Sequence, residues 1–68
     1  MKINGVHIVD VASIQTDRGE DGLFVANYGI SDEGVVYRLD GTPEAIILTR
    51  LVEKLDRDDV PEWLRKTK

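Results

Sequence analysis

The sequence predicts an α+β domain: a three-stranded antiparallel meander, then one amphipathic helix and a short C-terminal helix (βββα-α), completed by oligomerisation. Three observations carry that expectation. Runs rich in β-branched and aromatic residues fill positions 6–40, separated by polar, glycine-bearing segments. After Gly41-Thr42-Pro43, apolar residues recur at helical spacing. The predicted strands carry apolar side chains on both faces, more than one short chain is expected to cover.

Sixty-eight residues amount to a single small domain, 1–68. Val6 to Thr16 reads as the first strand. Its alternation slips, because Val6 and Ile8 share one parity, Val9 and Val11 the other, and Ala12 and Ile14 return to the first. A β-bulge or sharp bend near Ile8 to Val11 accounts for the slip. Just before it, Asn4-Gly5 has the composition of a tight type I′ turn. The polar stretch Thr16 to Gly22 is expected as a loop.

Leu23 to Ile30 is the second strand, with Phe24, Ala26, Tyr28 and Ile30 on one face. Ser31-Asp32-Glu33-Gly34 has hairpin length and leads to a third strand, Val35 to Asp40, in which Val35, Tyr37 and Leu39 oppose Val36, Arg38 and Asp40. Thr42 then resembles an N-cap, with Pro43 at the first position of a helix over 43–57 and Leu48, Leu51, Val52 and Leu55 on its buried stripe. Ile46 does not fit that stripe. Asp59-Val60-Pro61-Glu62 resembles a capping box opening a short helix over 60–66, whose apolar side is Val60, Trp63 and Leu64.

Thirteen acidic and nine basic residues give a net charge of −4, which disfavours a general nucleic-acid surface. The alternative nucleic-acid reading rests on the basic tail (Arg65, Lys66, Lys68) and the strand aromatics Phe24, Tyr28 and Tyr37. Acidic residues form two groups, Asp17, Glu20, Asp21, Asp32 and Glu33 in loops, and Glu53, Asp56, Asp58, Asp59 and Glu62 further on. Gathered on one face, they would suit a basic protein partner. The chain has no Cys and one His, so thiolate and multi-imidazole metal sites are excluded, and no cofactor is expected. Neither Asp17-Arg18-Gly19-Glu20-Asp21-Gly22 nor the stretch from Asp56 fills a calcium-loop template.

His7 and Asp10 would need the bulge to meet, and no nucleophile motif accompanies them, so an enzyme site assembled between subunits is the third reading. No apolar run approaches the ~20 residues of a membrane span, and the first residues lack a signal-peptide pattern, so a soluble cytoplasmic protein is expected. The leading expectation is a non-enzymatic binding or regulatory module that acts as a homodimer or higher oligomer. Its expected interaction surface comprises Leu23, Val25, Val36, Ile46, Trp63 and Leu64.

Overall fold

The computed structural model describes residues 1–17 and 23–66. It is all-β. Five antiparallel strands, β1 (Lys2–Ile3), β2 (Val6–Asp17), β3 (Leu23–Ser31), β4 (Val36–Thr42) and β5 (Ala45–Arg50), follow one another in spatial order and curl into a nearly closed barrel. The expected α+β architecture is therefore corrected, since neither predicted helix forms.

The first half follows the sequence closely. Asn4 and Gly5 both take positive φ, 50° and 83°, as a type I′ turn requires, and they join β1 to β2. The predicted slip is a register shift between Ile8 and Asp10 in the pairing of β2 with β3. Val9 is the extra residue; it stays 56% exposed, while Ile8 turns to the face opposite Ala12 and Ile14. The loop expected over 16–22 falls largely on residues 18–22, outside the described residues. The β3–β4 hairpin forms as expected, and the buried Ser31 closes its turn: Ser31 Oγ accepts from Val35 N at 3.1 Å, and Ser31 O accepts from Gly34 N.

The helix expected over 43–57 is instead the β4–β5 hairpin followed by irregular chain. Thr42 pairs with Ala45, leaving Pro43 and Glu44 at the tip. A proline suits the second position of a β-turn as well as the first turn of a helix, because both need φ near −65°. Ile46, Ile47 and Thr49 are β-branched, and alternation along Ala45–Arg50 sets Ile46 and Leu48 apart from Ile47 and Thr49. Ile46, the residue that the helical stripe could not place, is half-buried in the strand.

The helix expected over 60–66 shrinks to one turn, in which Leu64 N and Arg65 N both donate to Pro61 O. Arg65 then pairs in parallel with Leu55, so the chain leaves the turn extended. A seven-residue helix has little intrinsic stability, and its apolar residues reach the sheet without one. Val60 and Leu64 are buried there with Ala12, Ile14, Ala26, Tyr28 and Val36; Phe24, Ile30, Leu51, Leu55 and Trp63 pack against that core. Trp63 Nε1 donates to Asp10 Oδ2 at 2.8 Å, and Arg57 donates to the Gln15 carbonyl at 2.9 Å, fixing the segment across β2.

The opposite face of the sheet is covered only in part, by the curl. Ile3 and Ile8 are buried there. Gly29 admits Ile8 against the β3 backbone, since a Cβ at that position would lie 2.9 Å from Ile8 Cγ2 and 3.6 Å from Leu39 Cδ1. One chain thus covers the first face with its C-terminal segment and part of the second with its own curvature.

Candidate functional site

The curl is incomplete, and a groove of about 300 Å³ remains between the N-terminal hairpin and β4–β5. Ile3, Val11, Asn27, Leu39 and Ile46 line it, with Gly41, Thr42 and Pro43 at one end. The antiparallel register explains why these side chains converge. Ser13 faces Asn27, Asn27 faces Leu39, and Leu39 faces Leu48, so one row crosses four strands on the concave side. Ser13 Oγ donates to Asn27 Oδ1 at 2.7 Å within that row. Val11, in the neighbouring row with Gly29 and Tyr37, is 41% exposed. Val25 lies on the same side farther out, where β2 and β3 extend past the pairing with β4, and is 48% exposed.

The second open feature is β5 itself, the last strand in the order. Asn4 Nδ2 donates to Ile46 O at 2.8 Å, bridging the first hairpin to that edge. Ile47 is 61% exposed on it. Arg50 and Glu44 are both exposed, and neither forms an ion pair among the described residues.

The six expected interaction residues separate by environment. Val36 and Leu64 are buried in the core of the same chain, and Trp63 packs against it with its indole N–H on Asp10. Val25 is exposed and Ile46 lines the groove. The side chain of Leu23 lies outside what is described. Exposed Ile47 and Val11 were not among the six, although the exposed parity of a β5 strand would have pointed to Ile47.

Catalytic and metal arrangements stay thin. His7 Nδ1 stands 3.7 Å from Asp32 Oδ2, both more than half exposed, whereas Asp10 is taken by Trp63. No cluster of metal-ligating side chains occurs among the described residues. Tyr28 is buried, which removes it as a stacking surface, and Phe24 packs against the core. Arg65 is paired with Asp58 at 3.0 Å, and Arg57 bonds both carboxylate oxygens of Asp59, holding that carboxyl below its ordinary range. The second acidic group is to that extent neutralised from within the chain. No helix among the described residues is long and apolar enough to cross a membrane. No family model matches the sequence, and no curated protein or solved structure matches it significantly.

Proposed function

We infer that the protein is a small non-enzymatic binding module that acts as a homo-oligomer through the apolar surface its barrel leaves uncovered. The observation that carries this is the exposure of Val11, Val25 and Ile47 after the chain has folded back over both faces of its sheet. Full exposure of such a side chain forgoes roughly 1.5–3 kcal/mol, so about half of that is lost at each of these half-exposed positions, a notable sum against the stability of a small domain. Contact with another surface recovers part of it, and the groove beside Leu39 and Ile46 accepts an apolar side chain. Light scattering at micromolar concentration tests the reading. A mass above that of one 7.6 kDa chain is expected; a monomer mass removes it.

A further inference from the structure

We propose that two copies join edge to edge through β5, antiparallel, with Ile47 on the two-fold axis. This rests on the homo-oligomer reading and specifies its interface. The direction in which the β5 backbone points comes from the hairpin ladder. Leu51 N donates to Val36 O, so the residues that bond to β4 are 45, 47, 49 and 51. Alternation in an antiparallel ladder then turns the N–H and C=O groups of Ile46, Leu48 and Arg50 outward. The contact of Asn4 Nδ2 with Ile46 O agrees with that direction. Among the described residues the outward main chain of Leu48 and Arg50 makes no hydrogen bond. An unpaired edge of this kind is a template for another strand.

Charge selects the register. Placing Ile47 opposite Ile47 of a second copy sets Ile46 opposite Leu48 and Ala45 opposite Thr49, and brings Glu44, at the hairpin tip just before β5, to the end of the partner strand that carries Arg50. Each Ile46–Leu48 pair then consists of residues whose main-chain groups point outward, as an exchange of ladder bonds requires. Both Glu44–Arg50 pairs match opposite charges that have no ion-pair partner among the described residues. The exposed Ile47 side chains meet in a non-hydrogen-bonded pair, where opposed side chains approach closest. Asn4 already leans on Ile46 O, and a carbonyl oxygen has a second lone pair to offer the incoming strand. The joined copies share one continuous sheet, with the apolar row of Ile46 and Leu48 doubled across the axis.

The absence of native Cys makes the test direct. Ile47→Cys and Thr49→Cys are each oxidised mildly and run without reductant. Opposed non-hydrogen-bonded residues sit about 4.5 Å apart at Cα, within disulfide reach, whereas Thr49 and its own copy are offset by about 13 Å along the strands. A covalent dimer is expected from Ile47→Cys and not from Thr49→Cys. Glu44→Arg or Arg50→Glu alone is expected to weaken association by about tenfold, and the double exchange to restore it. A protein that scatters as an oligomer yet crosslinks no better at 47 than at 49, or is indifferent to both charge reversals, overturns this interface and leaves the oligomer reading standing. A monomer removes both.

Discussion

Asp59 and Arg57 show how a charge pair on the surface can hold a main-chain contact in place. The guanidinium bonds both carboxylate oxygens of Asp59 and also donates to the Gln15 carbonyl on β2. Hydrogen bonding to Arg57 is the main reason the Asp59 carboxyl lies below its ordinary value of 3.8. A carboxyl whose folded pKa is depressed stabilises the fold above its unfolded value, and the contribution disappears as pH falls through the depressed one. Asp59 is exposed, so the effect is small and best read at the group itself. Carboxyl-carbon NMR titration of the native chain should give an Asp59 midpoint below 3.8. Arg57→Met should move the midpoint up toward the ordinary range; an unchanged midpoint would show that Arg57 does not set it.

The β4–β5 hairpin depends on Gly41 more than on its proline. Gly41 has φ of 98°, and a Cβ there would lie 2.4 Å from Ala45 O, a backbone atom that cannot step aside. Gly41→Ala should therefore cost at least about 1–3 kcal/mol from the backbone conformation alone, with the clash added. Gly34 also has positive φ, 86°, but none of the described residues lies within 4 Å of its would-be Cβ, so Gly34→Ala should cost less. Thermal melts of the two variants give the comparison, and an equal loss would show that the turn does not need the close approach at Gly41. The same segment shows why the second half of the fold was hard to read. Thr-Pro-Glu before an apolar run satisfies a helix N-terminus and a β-turn alike, and Leu48, Leu51, Val52 and Leu55 fall at helical spacing by coincidence. Local signals could not separate the two; the misplaced Ile46 and the β-branched Ile47 and Thr49 were the residues that favoured a strand. By contrast, the bulge near Ile8, the Asn4-Gly5 turn and the β3–β4 hairpin were legible because each has a local cause in parity or turn chemistry.

Apolar residues on both parities of the strands predicted a sheet covered on both faces, whereas Val11, Ser13, Val25 and Asn27 leave part of one face open to solvent; parity alone does not say what covers each side. The C-terminal segment and the curl both do so, which is why Val36 and Leu64 are interior while Val25 and Ile46 stay near solvent. That distinction depends on long-range packing of the last residues against β2 and β3, which no local pattern records. The same packing makes the tail part of the core. Val60 and Leu64 belong to one buried group with Ala12, Ile14, Ala26, Tyr28 and Val36, so the sheet has no complete apolar core without them. Secondary structure and the C-terminal segment should accordingly be lost together. Trp63 is the single tryptophan and sits in that segment, so its fluorescence reports the tail, while far-UV circular dichroism reports the strands. In a urea titration the two transitions should share one midpoint and one slope. A fluorescence change at clearly lower urea would mean that the segment opens by itself and that the sheet face beneath it persists uncovered.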